Sequence, residues 1–272
     1  MKTPITYYGG KQRLCKQILS MIPQHKLYCE PYFGGGAVFF SKHPSKVEVI
    51  NNHDERLITF YRQVVDNFDA LQLKIQHTLH SEKEWLKARR LFYGNGEHKA
   101  ADVSDIDIAW SVWVLCNMSY SASPNTGWKW DNEGSTPRML QAKRDAFTEN
   151  LHKRLSNVEI SCRDAITVIE QRDSADTFFY LDPPYVGCQQ QHYHGFKAED
   201  FEILLTTLSM VKGKFILSHF WNEQLHQAVD KFGWNIVSID SFLTVANNNR
   251  NTLRRKQELL IYNYNTLTLF NQ

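Results

Sequence analysis

The sequence predicts an α/β protein: a Rossmann-like open sheet interrupted by an insertion of helices and a hairpin. Three observations predict it. From about residue 158 to residue 264, apolar runs of strand length alternate with segments at helical spacing, the pattern of a parallel sheet with helices on both faces. A short strand at 27–29 leads through Glu30-Pro31-Tyr32-Phe33 into Gly34-Gly35-Gly36 and a helix start. An apolar, aromatic run at 177–181 stops at Asp182-Pro183-Pro184-Tyr185. Proline lacks the N–H that a central strand needs, so the chain leaves the sheet at Asp182 and presents it at a strand's carboxyl end. Open α/β sheets bind their ligands at that edge.

The bulk properties set bounds. With 272 residues, the chain has room for a full core and an insertion. Hydrophobic residues make up 42% and charged residues 22%, ordinary for a globular protein. The net charge is only +2, so a nucleic-acid surface must come from local clustering. No apolar run approaches a membrane span, and the N-terminus lacks a signal peptide's apolar stretch. The cysteines (Cys15, Cys29, Cys116, Cys162, Cys188) are odd in number and widely spaced, which reads as free thiols in a reducing compartment.

In chain order, an extended entry and a Gly-Gly turn precede a helix expected from Lys11 to Met21 and stopped by Pro23. The strand and glycine turn follow. They form a backbone-lined cradle, but neither a dinucleotide fingerprint nor a phosphate loop, so nicotinamide cofactors and ATP are disfavoured. A second strand is expected at 47–51. Helical spacing then runs from Glu55 to Leu79, and a second helix starts at Ser81 with Glu84 in a capping box. A buried helix is expected at 106–118, and an ordered loop or hairpin from Asn117 to Gly134. The stretch 138–154 carries five basic and two acidic residues, and Lys143, Arg144, Lys153 and Arg154 would face phosphates if they share a side. Strands are expected at 158–161, 214–218, 235–239 and 258–264, with helices between. The loop at 244–256 is basic, with Arg250, Arg254 and Arg255. His192, His194 and Cys188 lack a further ligand pair in register, so no metal is expected.

Asp182-Pro183-Pro184-Tyr185 offers acceptors and few donors, because an ionised Asp only accepts and the prolines have no N–H. Asp182 and the Pro183 carbonyl would take the two hydrogens of an amino group on a planar ring stacked on Tyr185. The same residues also fit a plain Pro-Pro turn with a solvated Asp. The motif resembles the catalytic signature of the amino-methyltransferases that modify adenine N6 or cytosine N4. Tyr7-Tyr8-Gly9-Gly10-Lys11 and Glu30 to Phe39 resemble, in the same order, the Dam-type (alpha-group) adenine-specific DNA methyltransferases.

That resemblance implies an S-adenosylmethionine-dependent methyltransferase sheet at 1–57 and 158–272, with a target-recognition domain at 58–157. It implies methyl transfer from S-adenosylmethionine to N6 of a flipped-out adenine, with Asp182, Pro183, Pro184 and Tyr185 catalytic. The donor would meet Tyr7, Lys11, Glu30, Phe33, Gly34, Gly35, Gly36, Asn52 or Asp54, Asp164 and Asp182. Two positions depart from the family: Tyr7 stands where Trp is usual, and Asn52 where Asp is usual. Double-stranded DNA would be met by Asn117, Ser119, Trp128, Lys129, Arg138, Lys143, Arg144, Arg250, Arg254 and Arg255, with Trp128 or Trp130 as a wedge. A monomeric, cytoplasmic, bacterial or phage-encoded protein associated with the nucleoid is expected, serving restriction–modification or a regulatory role. The alternatives are a cytosine-N4 or RNA adenine methyltransferase, or an inactive DNA-binding relative.

Overall fold

The computed structural model describes residues 1–94, 103–185, 196–242 and 255–265. Their contacts divide into two compact units. The first comprises Met1–Ser20, Phe33–Pro44 and Glu48–Asp164; the second comprises Met21–Tyr32, Ser45–Val47 and Ala165–Gln272. The helical segment from 58 to 157 therefore packs in the same unit as the glycine turn.

The strands are β1 (Leu27–Glu30), β2 (Val47–Asn51), β3 (Glu159–Ser161), β4 (Thr177–Leu181), β5 (Lys214–Phe220), β6 (Asn235–Phe242) and β7 (Arg255–Tyr262). They form one sheet in the order β3-β2-β1-β4-β5-β7-β6. The strand order reverses at β1 and β4, which pair in parallel with Cys29 opposite Phe179. This is the switch point of a doubly wound, Rossmann-like sheet, as the sequence predicts. One expectation is corrected. The sheet is not all parallel, because β7 runs antiparallel to both β5 and β6. No helix of crossover length can be read in the sequence between β6 and β7, and a parallel return needs such a crossover.

In the first unit, α1 (Cys15–Met21) starts later than expected, because residues 11–14 form a turn closed by Leu14 N–H on the Lys11 carbonyl at 2.9 Å. After α2 (Ala37–Ser41), the helix expected across 55–79 is two helices, α3 (Glu55–Asp66) and α4 (Phe68–Gln76). The break falls at Asn67, whose backbone is non-helical and whose side chain donates to Gln63 at 2.8 Å. Then α5 (Glu82–Tyr93) starts where expected, with Ser81 Oγ accepting the Glu84 N–H at 3.2 Å. The helix α6 (Asp105–Met118) is buried along nearly its whole length, including Trp110 and Trp113.

A hairpin follows, closed by an antiparallel bridge between Ser119 and Trp128. At its tip Ser121 and Ala122 hold positive φ (54° and 55°), a strained conformation for residues with a Cβ. The unit ends in α7 (Ser135–Asp145) and α8 (Glu149–Leu155). Its core is aromatic: Phe33, Phe39, Phe40 and Tyr61 pack on one another, and Phe68 stacks on Phe147.

In the second unit, α9 (Ala165–Arg172), α10 (Ala198–Met210) and α11 (Glu223–Phe232) separate the strands. The core is built on β1, β4 and β5, where Tyr28, Phe178, Phe179, Phe215 and Leu217 are fully buried. Fixing a continuous apolar run such as β4 in mid-sheet removes every side chain of it from water.

Candidate active site

In the second unit, β4 is buried along its length and delivers Asp182 at its carboxyl end. Asp182 is half-buried and Pro183 is buried. On the neighbouring strand end, Glu30 is 2% exposed and accepts a hydrogen bond from the Tyr28 hydroxyl. Glu30 and Asp182 thus occupy adjacent strand ends at the point where the sheet order reverses.

Tyr185 is not simply an exposed plate. Its ring packs 4.8 Å from His219 and 4.4 Å from Phe220. Its hydroxyl reaches Asp182 Oδ1 at 3.1 Å and also contacts Glu258 Oε1. Burial, reinforced by the charges of Asp182 and Glu258, pushes the phenol well above its ordinary pKa, so it stays protonated. Ser218 and Glu258 were missed by sequence reasoning. No local motif marks them; the antiparallel return of β7 brings Glu258 opposite Phe220.

In the first unit, the glycine turn is shaped from within. Gly34 and Gly36 hold φ of 50° and 64°, which only glycine adopts at little cost. A Cβ on Gly35 would lie 2.7 Å from Tyr7 Cβ, and one on Gly34 would lie 3.1 Å from the Tyr7 ring. Tyr7 therefore lies directly against the turn. The Tyr61 hydroxyl donates to the Gly34 carbonyl at 2.9 Å and holds the turn from the other helix-borne side. Lys11 is buried and donates to the Gly9 carbonyl at 3.1 Å. Phe33, expected at the donor, is 3% exposed and packs edge-on against Tyr61 at 4.8 Å.

At the end of β2, Asn51 is fully buried and ties three groups. Its amide donates to the Arg163 carbonyl and accepts from Ser161 Oγ and Arg163 N–H. Asn52 Oδ1 accepts the Asp54 N–H at 2.9 Å, so the amide shapes the turn. Asp54 caps α3 through the Arg56 N–H at 3.0 Å and pairs with the Arg56 guanidinium, which lies 4.0 Å over the Phe92 ring. Asp54 remains partly exposed and Asp164 is exposed. These acceptors suit the hydroxyl and amino groups of a nucleoside-bearing donor.

The residues expected to meet DNA divide sharply. Ser119 is 2% exposed and its oxygen accepts the Trp85 indole N–H at 2.9 Å. Asn117 accepts the Thr6 N–H and donates to the Trp113 carbonyl. Lys143 donates to the Thr3 carbonyl, and burial pushes its ammonium down to about 8. Arg144 donates to the Thr78 carbonyl and Arg154 pairs with Glu48. The shared basic face expected of Lys143, Arg144, Lys153 and Arg154 is not formed; of these four only Lys153 is exposed. Lys129 and Trp128 are half-buried, while Trp130 and Arg138 are exposed. Arg250 and Arg254 lie outside the described residues, as do the side chain of Arg255 and the loop 186–195. Among the described residues no group of three or more His, Cys, Asp or Glu side chains is arranged to hold a metal ion, and no helix is long and apolar enough to cross a membrane.

Comparison with known proteins shows the family. The family model for D12 class N6 adenine-specific DNA methyltransferases matches residues 7–208. The type II methyltransferase M1.LlaDCHI of Lactococcus lactis subsp. cremoris is 26% identical over 273 residues, covering 94% of this chain and 93% of that protein. The type II methyltransferase M.MjaIII of Methanocaldococcus jannaschii is 27% identical, covering 68% of this chain and 69% of that protein. The type II methyltransferase M.FokI of Planomicrobium okeanokoites is also 27% identical; the match covers 98% of this chain and 44% of that longer protein.

Proposed function

This chain belongs to the D12 class N6 adenine-specific DNA methyltransferases, and on that premise we propose that Asp182 and the Pro183 carbonyl are the acceptors that prepare the adenine amine. The protein is an enzyme that methylates adenine N6 in DNA, and S-adenosylmethionine is the methyl donor of its family. The observation that carries the proposal is the placement of Asp182. A buried parallel strand delivers its carboxylate at the switch point of the sheet, followed by two residues with no N–H to compete for it.

When bound, S-adenosylmethionine supplies a methyl carbon already activated by a sulfonium leaving group. The protein's share is positioning and polarisation. Asp182 Oδ and the Pro183 carbonyl take the two amine hydrogens and draw the nitrogen lone pair out of the ring. The lone pair is then free to take the methyl group that a bound donor would supply, and Asp182 or water would receive the proton that the nitrogen gives up. The amine is paired and stacked inside a duplex, so the base must be extruded first, at a cost of a few kcal/mol. The sequence reading had Tyr185 stack on the base. That role falls to the ring, which packs on His219 and Phe220, and does not draw on the hydroxyl.

For the donor, the first unit offers Tyr7 along the glycine turn, Asp54 and Asn52 as acceptors for ribose hydroxyls, and Asp164 as an acceptor for an amino group. Asp54 is favoured over Asn52, because an ionised carboxylate gives ribose hydroxyls charge-assisted acceptors and an amide does not. For DNA, the exposed Arg138 and Trp130 are the supported candidates, one for phosphate and one for a wedge between bases. The functional division at 58–157 is retained for DNA recognition.

Nucleoside mass analysis tests the reading. DNA and RNA incubated with the protein and S-adenosylmethionine should yield N6-methyladenine in DNA alone. N4-methylcytosine, or methylation confined to RNA, would contradict it.

A further inference from the structure

The hydroxyl of Tyr185 stands between two carboxylates. It lies 3.1 Å from Asp182 Oδ1 and contacts Glu258 Oε1. Ser218 Oγ donates to the same Glu258 oxygen at 2.5 Å. This cluster is a property of the sheet. Glu258 on β7 lies opposite Phe220 on β5, and Ser218 is two residues back on the same face. The strand register, not a loop, aims the glutamate at the tyrosine.

A phenol has one proton, and here two carboxylate oxygens are within its reach. Glu258 is 5% exposed, so its oxygens need donors from the protein. Asp182 is half-buried, and water can serve it in part. The hydroxyl cannot escape the choice by ionising, because burial and both carboxylates hold it protonated. The electrostatic demand therefore sends the phenol proton to Glu258.

Resting on the reading of Asp182 as acceptor of the adenine amine, we infer that Glu258 is a positioning residue: it takes the Tyr185 proton and so keeps it off Asp182 Oδ1. Ser218 aims Glu258 for this task. Take Glu258 away, and the tyrosine turns its proton to Asp182. A carboxylate that already accepts a phenol polarises an amine less, so the transfer step slows while DNA is held as before. Glu258 acts through Tyr185.

The test is a set of variants of the full chain, read by single-turnover transfer of radiolabelled methyl to duplex DNA. Glu258→Leu should lower the transfer rate by roughly 10- to 100-fold, the scale of one hydrogen bond to a charged group, with little change in KM for DNA. Adding Tyr185→Phe removes the misdirected proton, so the double variant should be faster than Glu258→Leu alone, by about fivefold or more. A merely structural role for Glu258 predicts the opposite, a double variant as slow as or slower than the single one, and that result overturns the inference. Calorimetric binding of S-adenosylmethionine shows that each variant is folded. Should Glu258→Leu not fold, Ser218→Ala with and without Tyr185→Phe makes the same comparison with a smaller change. Asp182→Ala runs in the same series. Near-wild-type transfer there would remove the reading beneath the inference, whereas an inactive Asp182→Ala with no relief in the double variant removes the inference alone.

Discussion

Arg154 closes on Glu48 with both terminal nitrogens: Nη2 lies 2.9 Å from Oε1, and Nη1 bonds Oε2. The guanidinium sits 3.6 Å over the Phe39 ring, and Lys42 joins the same carboxylate. The Glu48 side chain is 4% exposed and that of Arg154 10%, so this is a buried pair. Removing Arg154 takes its hydrogen bonds from this carboxylate but leaves Lys42 on it, which costs about 1.5–3 kcal/mol. Arg154→Met, which keeps the packing on Phe39, should lower the unfolding free energy by about that amount in denaturant titration. Burial alone would raise the Glu48 pKa, but Arg154 and Lys42 outweigh it and hold it below 4.5. A depressed carboxylate contributes stability that is present above the unfolded pKa and lost as pH falls through the folded one. Wild-type stability should therefore fall on acidification below about pH 4.5, more steeply than that of Arg154→Met.

Lys143 should show the opposite dependence. Burial lowers its ammonium from 10.5 to about 8, so between those values the unfolded chain binds more protons than the folded one. Stability should rise with pH across that window. Lys143→Met, which cannot titrate, should flatten the rise when melting temperatures are compared from pH 7.5 to pH 10.

The reading of these two residues shows where the sequence was legible and where it was not. Strand and helix order, the buried run of β4, the glycine turn and the exit at Asp182 all come from local pattern: periodicity, proline and glycine. What escaped was partnership over long distances in the chain. Arg154 and Lys143 look like any basic residue of a solvated helix. Only the fold shows that one meets Glu48 and the other the Thr3 carbonyl. Ser119 likewise reads as a polar loop residue and is a buried acceptor for Trp85. Phe33 sits within a ligand motif and packs inward. Glu258 entered the site because β7 turned back antiparallel, which alternation alone did not reveal.

The turn should resist even a methyl group. A Cβ at Gly35 would meet Tyr7 Cβ at 2.7 Å, far inside ordinary contact. Gly35→Ala must displace Tyr7 or the turn, at about 1–3 kcal/mol. If the turn and Tyr7 receive the donor, S-adenosylmethionine affinity should fall by roughly 10-fold or more on the same energy scale, as read by isothermal titration. An unchanged affinity would detach the turn from donor binding.

The central claim is that the Asp182 carboxylate, offered at the carboxyl end of β4, prepares the adenine amine for alkylation. Its most direct test is single-turnover methyl transfer to duplex DNA by Asp182→Ala, with donor binding measured on the same preparation. The account predicts that S-adenosylmethionine still binds and that N6-methyladenine formation is lost. Transfer at close to the wild-type rate with donor bound would contradict it.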